Sequence, residues 1–242
     1  MPKQMLSWLE RPTEFPRTDH ALQDPNGLLA ASGAVDAEWL QHSYPRGIFP
    51  WYNPGEPVLW WSPNPRAVLF TDQFKLHRSL RKVMTRVDFD PEREIRMDSN
   101  FEAVMRACAA PRDGQPGTWI TEDIIQAYLE LHRKGLAHSI EHWHQNQLVG
   151  GLYCVSMGRM VFGESMFSTQ TDASKVAFGY FVAWLKSQNV RIIDCQQATR
   201  HLMSFGACTI SRPEFEIIMN EELLKPGLDW RTQVLSWTYD KT

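Results

Sequence analysis

The sequence predicts an α+β fold. Three observations carry that prediction. Residues 136–166 fall into three strand-like runs, Leu136–His144, Leu148–Ser156 and Arg159–Met166, separated by the turn residues Gln145-Asn146-Gln147 and Met157-Gly158, which is the pattern of an antiparallel meander. The period then changes to that of a helix from Asp172 to Ser187, with Val176, Phe178, Phe181, Val182 and Leu185 along it. A β-branched run, Val190–Cys195, returns to strand. The stretch Gly150–Gln196 holds most of this pattern, and Glu164, Asp194 and Gln196 stand in it among apolar residues. Buried polar groups cost free energy unless paired, so three of them at strand ends need a reason.

A chain of 242 residues makes one large domain or two small ones. Its apolar fraction of 43% and charged fraction of 22% are those of an ordinary soluble globular protein. A net charge of -3 excludes a generally basic coat for nucleic acid but leaves room for a local basic patch. The ten tryptophans offer more flat aromatic surface than a core needs. Cys108, Cys154, Cys195 and Cys208 form no C-x-x-C pair, which removes a zinc ribbon and a thioredoxin motif. With no apolar run at the N-terminus and no apolar segment of about 20 residues, neither a signal peptide nor a spanning helix is expected. Reduced thiols in a cytoplasmic protein follow.

Residues 1–24 read as an irregular arm that can pack on the body but does not define the fold. Asp24-Pro25-Asn26-Gly27 is turn chemistry, and Asp36 is the N-cap of a short helix, Ala37–Ser43. Tyr44–Leu69 carries six prolines and two glycines, which prevent a long helix or a central strand, and after Tyr44 five large aromatics: Phe49, Trp51, Tyr52, Trp60 and Trp61. It is either a proline-braced aromatic minicore or a stacking platform for a planar group such as a nucleobase. Arg66–Phe70 reads as a strand and His77–Arg86 as a helix. Arg78, Arg81 or Lys82, and Arg86 can share one helix face; such faces are usually solvated, and this one is also the best candidate for phosphate contact. Ser99 caps a helix to about Ala109, Pro111–Gly117 is a polar loop, and Glu122–Lys134 is an amphipathic helix ended by Gly135. After the strand Val190–Cys195 come a helix at His201–Phe205, a short strand at Cys208–Ile210 and a closing helix at Pro213–Leu224. Trp230 and Trp237 suggest that the tail docks on the body.

The order of strands and helices resembles the fold of the GCN5-related N-acetyltransferases, which by itself gives no function. A coenzyme A enzyme on this fold needs a glycine-rich turn before the long helix to present N–H groups to pyrophosphate. The segment Ser168–Lys175 has no glycine. His138, His142 and His144 invite a metal, and His142 and His144 share a strand face, but Glu141 points to the other face and a polar strand face is the commoner outcome; no metal site is expected. Ser165 and Cys195 lack a nucleophile elbow. Cys195 should face away from Asp194 and Gln196, which lie two residues apart on one strand face. For that Asp, a cap or structural ion pair is as good a reading as catalysis.

Seven segments then converge: Pro25–Ala30, Arg46–Trp51, Leu59–Pro63, Gly117–Thr121, Gly163–Ser168, Ala173–Lys175 and Ile193–Gln196. In that order they resemble the signature segments of the leucyl/phenylalanyl-tRNA–protein transferases, covering the chain from about 25 to 208. The resemblance implies a bacterial cytoplasmic enzyme, a monomer without cofactor, with a small N-terminal α/β domain (1–62) and an acetyltransferase-like catalytic domain (63–242). Its partners would be leucyl- or phenylalanyl-tRNA (with methionine a third possible cargo) and proteins whose N-terminal residue is Arg or Lys, marked by the transfer for N-end rule degradation. Where the family has Asn, this chain has Thr199, ahead of the matching His201. The rival readings are a non-catalytic RNA-binding module and an enzyme of the same fold with another acyl donor.

The resemblance implicates Asp194 and Gln196 in catalysis. In the family account Asp194 orients Gln196, whose carbonyl takes the amine proton. A carboxamide oxygen is too weak a base for that. Our expectation is that Asp194 fixes the amide, Gln196 positions the amine, and the proton leaves through water or the ribose hydroxyl. Glu164 is the candidate for contact with an amino group. Leu152, Met166, Phe178 and Ile193 would line the pocket for the Leu or Phe side chain, with Ser168 completing the substrate-binding set. Trp51 and Trp119 would stack on the terminal adenine, and Arg78, Arg81 and Lys82 would meet the acceptor stem.

Overall fold

A computed structural model describes residues 6–111, 118–231 and 233–237. The chain builds two sheets. The first has four strands, Ser7–Leu9 (β1), Leu28–Ser32 (β2), Phe49–Pro50 (β3) and Val58–Trp61 (β4), in the order β1-β2-β4-β3. The helix Ala37–Ser43 (α1) follows β2, and the Asp36 carboxylate accepts from the N–H groups of Glu38 and Trp39, the N-cap that the sequence predicts.

Two expectations fail in this region. The N-terminal arm is not merely irregular: β1 pairs parallel with β2, and Phe15 is a core residue, edge-on to Trp39 and Trp60. The proline-rich stretch does hold an interior strand, because Val58–Trp61 lie between Pro57 and Pro63 and keep all their N–H groups; β4 pairs with both β2 and β3. Gly27 permits the turn into this sheet. Its φ is +92°, and a Cβ there would lie 2.5 Å from the Pro63 Cα.

The second sheet is larger. Its elements are Arg66–Phe70 (β5), the helix Arg78–Phe89 (α2), Arg93–Met97 (β6), the helices Phe101–Ala109 (α3) and Glu122–Arg133 (α4), then Ala137–His144 (β7), Gln147–Met157 (β8) and Met160–Ser168 (β9). Helix Ala173–Ser187 (α5), strand Ile192–Gln196 (β10), helix Arg200–Ser204 (α6), strand Cys208–Ile210 (β11), helix Arg212–Leu223 (α7) and strand Gln233–Leu235 (β12) complete it. The strand order is β11-β5-β10-β9-β8-β7-β6-β12. All neighbours are antiparallel except β9 and β10. A meander, a crossover helix and a parallel return strand give the acetyltransferase-like α+β arrangement read from the sequence.

Strand β6 escaped the sequence reading because charged residues flank Ile95 and Met97, the two side chains it buries. Ser99 is not the cap of α3: Asn100 accepts from the Ala103 N–H, and the Ser99 hydroxyl turns instead to the buried Glu141 carboxylate. Most of the expected loop at Pro111–Gly117 lies outside the described residues. The tail docks as expected: Trp230 stacks on His138 at 4.0 Å and Trp237 is buried.

One face of the large sheet packs α2 and α5 around Leu152, Phe178, Phe181, Ile193 and Cys195; the other packs α3, α4 and the small sheet around Tyr128, Tyr153, Phe162 and Ile192. The start of α5 lies so close to β8 that a Cβ on Gly150 would come within 2.6 Å of the Ala173 Cβ and 2.8 Å of its carbonyl carbon. Gly150→Ala should therefore cost about 1–3 kcal/mol through overpacking, read as a lower Tm.

Candidate active site

The parallel pairing of β9 and β10 ends at Asp194 opposite Phe162. Beyond that point both strands continue, and each carries a bulge. In β9, Tyr153 pairs with Ser165 and Cys154 with Gly163, which leaves Glu164 as the extra residue. In β10, Asp194 pairs with Val68 and Gln196 with Ala67, which leaves Cys195 extra. Gln196 also takes a left-handed backbone, φ 54°, uncommon for a residue with a Cβ. A cavity of about 490 Å³ opens where the strands part.

Its walls differ in chemistry. Leu152, Met166, Phe178, Phe181 and Ile193 form an apolar wall, with Leu152 and Met166 paired across β8 and β9. Glu164 and Gln196 form a polar one, and Trp51 and Trp119 border the opening together with Thr199, His201 and Leu202. Trp51 keeps 43% of its surface exposed; the Tyr52 and Thr121 hydroxyls meet at 3.2 Å and tie the two tryptophan-bearing loops together. The aromatic stretch thus divides: Phe49, Tyr52 and Trp60 are buried, and Trp60 stacks on Trp39, while Trp51 is left at the mouth.

Asp194 lies beneath this cavity and does not border it. The Arg66 guanidinium meets its carboxylate with two bonds, Nε to Oδ1 at 2.8 Å and Nη2 to Oδ2 at 2.6 Å. Both side chains are closed off from solvent. Arg66 Nη1 donates to the Gly47 carbonyl at 3.1 Å, and its charge lies over the rings of Phe49 (4.9 Å) and Phe215 (4.7 Å). The Gln196 backbone N–H donates to Asp194 Oδ1 at 2.9 Å. Asp194 therefore holds the backbone of Gln196, not its amide, which corrects the expected role. The expected strand geometry is corrected too. The bulge and the left-handed residue break the alternation, so Cys195 and Gln196 both border the cavity and Asp194 points to the opposite face.

The Gln196 amide is held by Glu164, with Nε2 donating to Oε1 at 3.3 Å. The Tyr128 hydroxyl donates to Glu164 Oε2 at 3.1 Å and is bonded in turn to the Tyr44 hydroxyl. The Tyr44 hydroxyl also acts on Glu164, so the two tyrosines share the carboxylate. Burial pushes the Glu164 carboxyl up to about 7; the hydroxyls of Tyr44 and Tyr128 and the Arg66 charge oppose the rise, and Asp194 adds to it. Burial also raises the hydroxyls of Tyr44, Tyr128 and Tyr153 and the Cys195 thiol, so all four keep their protons.

Of the residues the sequence selected, Trp51, Trp119, Leu152, Glu164, Met166, Phe178, Ile193 and Gln196 come together around the cavity. Ser168 does not. Strand β9 runs past the cavity, and the exposed Ser168 hydroxyl donates to the Gln170 carbonyl at 2.7 Å and accepts from the Ser174 N–H at 3.2 Å. Arg78 and Lys82 are exposed one turn apart on α2, with Arg81 half-buried beside them. The sequence reading missed Arg66, Tyr128 and Phe181. Phe181 sits three residues after Phe178, which was a usable signal. Arg66, a lone cation heading an apolar strand, needed a buried acid to pair with.

His138, His142 and His144 turn to different partners. Arg93 Nη1 lies 3.3 Å from His142 Nε2 and its Nη2 donates to Gln170, which also contacts His144. A guanidinium occupies the space a cation would need, and burial lowers His142 to about 4. His138 instead meets Asp98 at 2.7 Å. Among the described residues the one three-residue group with metal-ligand types is Asp98, His132 and His138; none of the three lines the cavity, and each is already hydrogen-bonded.

The family model for leucyl/phenylalanyl-tRNA protein transferase matches residues 68–220, and that for its N-terminal domain matches residues 33–64. The chain belongs to the leucyl/phenylalanyl-tRNA–protein transferase family. Curated relatives of that name include one from Polaromonas sp., 53% identical over 236 residues (96% of this chain, 92% of the relative). One from Nitrosomonas europaea is 49% identical over 238 residues (98% and 97%). Among solved structures, FemX aligns with a TM-score of 0.44 at 10% identity (78% of this chain, 74% of FemX), and L-PGS from Bacillus licheniformis with 0.40 at 11% (80% and 72%). As a member of this family the chain is a transferase.

Removing one partner of a buried ion pair strands the other charge. Asp194→Asn should lower stability by about 3–5 kcal/mol in urea unfolding, and the double variant Arg66→Met/Asp194→Leu should lose much less.

Proposed function

We propose that this chain moves leucine or phenylalanine from the 3′ end of its tRNA to the N-terminal α-amine of a protein beginning with Arg or Lys, and so marks that protein for N-end rule degradation. The observation that carries this reading is the cavity itself: an apolar wall of side-chain size next to a positioned carboxamide and carboxylate, with two tryptophans at its mouth. The aminoacyl ester is already activated, so the site has to bind, align and manage one proton. Holding amine and ester together lowers such a barrier by up to ~7–11 kcal/mol in ideal cases.

In this reading Leu152, Met166, Phe178, Phe181 and Ile193 take the amino-acid side chain. Met166, being unbranched, adapts to branched and planar shapes alike, which also admits methionine as cargo. Trp51 and Trp119 take the terminal adenine. With its nitrogen held by Glu164, the Gln196 amide turns its oxygen to the entering amine and aims the nitrogen lone pair at the ester carbon. Arg78 and Lys82 meet the acceptor stem, with Arg81 beside them. The catalytic domain begins near residue 63, after a small domain spanning 1–62. The enzyme works in the cytoplasm; among the described residues no helix is long and apolar enough to cross a membrane.

The test is transfer of labelled leucine from leucyl-tRNA to a peptide beginning with Arg, without ATP or coenzyme A. Label should reach the peptide N-terminus, and Gln196→Ala should lower kcat about 100-fold with the tRNA still bound. Protected label with no transfer would instead mark a binding module. Affinity for the tRNA should fall steeply with salt, and Arg78→Ala/Lys82→Ala should flatten that dependence by nearly two units of log–log slope.

A further inference from the structure

We propose that Glu164 is the group that accepts the proton of the attacking amine, and that Tyr128, backed by Tyr44, is the positioning residue that holds it there. This rests on the transfer reading above. It replaces water and ribose as the first proton acceptor.

The geometry is specific. Glu164 is the extra residue of the β9 bulge, so its side chain enters the gap between β9 and β10 and reaches the cavity. One carboxylate oxygen, Oε2, is held by Tyr128 at 3.1 Å. The other, Oε1, has the Gln196 amide nitrogen at 3.3 Å, a long bond that leaves this oxygen room for a second donor. An amine aligned by the Gln196 oxygen therefore stands beside Glu164 Oε1. The Tyr128 ring is closed in by Tyr153 (centroids 5.4 Å apart) and Tyr44 (6.5 Å), both edge-on, so the hydroxyl that holds Glu164 cannot swing away.

The other ionisable groups on the cavity fit the task poorly. Tyr153 and Cys195 are held protonated by burial, and the Cys195 Sγ turns back to the Ile193 carbonyl. His201 lies on α6, edge-on to Phe205, and burial, with the Lys175 charge adding to it, lowers its affinity for a proton. Gln196 can orient an N–H but cannot hold its proton. Glu164 is a carboxyl whose ionisation lies near neutral pH, where a general base works best.

The step balances as follows. The neutral amine attacks the ester carbonyl carbon, forming the C–N bond, and the nitrogen of the tetrahedral adduct becomes positively charged. Its proton passes to Glu164 Oε1. Collapse of the adduct breaks the bond to the ribose oxygen of the terminal nucleotide, and that oxygen takes the proton from Glu164. The products are an amide and a free ribose hydroxyl, with Glu164 ionised again.

The experiment is the pH dependence of kcat for leucyl-tRNA and an Arg-peptide, in the wild type, E164Q, E164D and Y128F, with each variant checked for unchanged thermal unfolding. Two groups must lose protons for the wild type to act, the acceptor amine and Glu164, so log kcat should rise with a slope approaching two below neutrality. E164Q should lower kcat about 100- to 10,000-fold, leave KM for the peptide within a few-fold, and keep only the slope of one due to the amine. E164D should recover part of the loss. Y128F removes a donor that favours the ionised carboxylate, so the limb should move up by about one pH unit. Unchanged kcat and slope in E164Q, or a loss confined to KM for Arg and Lys peptides, would overturn the assignment while leaving the transfer reading intact. A Y128F variant that slows transfer with no shift of the limb would overturn the role of Tyr128. A wild type that transfers nothing at any pH would overturn both readings together.

Discussion

Arg66 and Asp194 meet where no water reaches, and the site is assembled around that pair. A buried ion pair is a poor source of stability, because desolvation offsets most of the attraction. Its value here is geometric. The guanidinium is planar with fixed donor directions, and it uses them on two separate parts of the fold: the Asp194 carboxylate in β10 and the Gly47 carbonyl in the turn before β3. Phe49 and Phe215 close over its faces. The small sheet, β5, β10 and α7 are thereby held in one arrangement. Asp194 in turn accepts from the Gln196 N–H, which anchors a residue in a backbone conformation that its Cβ disfavours.

The site is built on the failure of regular pairing. A parallel pair that stayed together to the end of β10 would bury Glu164 and Gln196 against neighbouring strands. Two bulges, one on each strand, stop the ladder and turn these side chains to each other. The cost is the loss of ladder hydrogen bonds and one left-handed glutamine. The return is a cavity in which an apolar wall, formed on the α5 face of the sheet, stands beside polar groups anchored on the opposite face.

This division explains what could be read from the sequence. Periodicity gave the meander, α5, β5 and α4 to within a residue or two, because each buries a regular stripe. It missed β6, whose charged neighbours mask Ile95 and Met97, and β1 and β4, whose short lengths carry little pattern. The composition of the site was legible, since Glu164, Asp194 and Gln196 are conspicuous among apolar residues. Their orientation was not. Strict alternation puts Asp194 and Gln196 on one face and Cys195 on the other, and a bulge is invisible to that rule. Ser168 illustrates the converse: it belongs to the right motif, but the strand has already left the cavity when it is reached. Tyr128 was read as one more apolar position on α4, because a ring satisfies periodicity whether or not its hydroxyl has work elsewhere.

The hydrogen bonds around the cavity close on themselves. From the Tyr44 hydroxyl they run to Tyr128, then Glu164, then the Gln196 amide; from the Gln196 backbone they run to Asp194, Arg66 and the Gly47 carbonyl. Tyr44 and Gly47 are the two ends of a single turn, joined by the Gly47 N–H to the Tyr44 carbonyl at 2.9 Å. The circuit thus begins and ends on the tight turn between α1 and β3, and Glu164 and Gln196 are the two members that border the cavity. Such networks stiffen when every member is satisfied and fail together when one is not. The same turn leads through Phe49 and Pro50 to Trp51 at the cavity mouth. One local structure therefore positions Glu164 and Gln196 from beneath and the aromatic rim from above, so the small sheet acts as part of the cavity and not as a support for it.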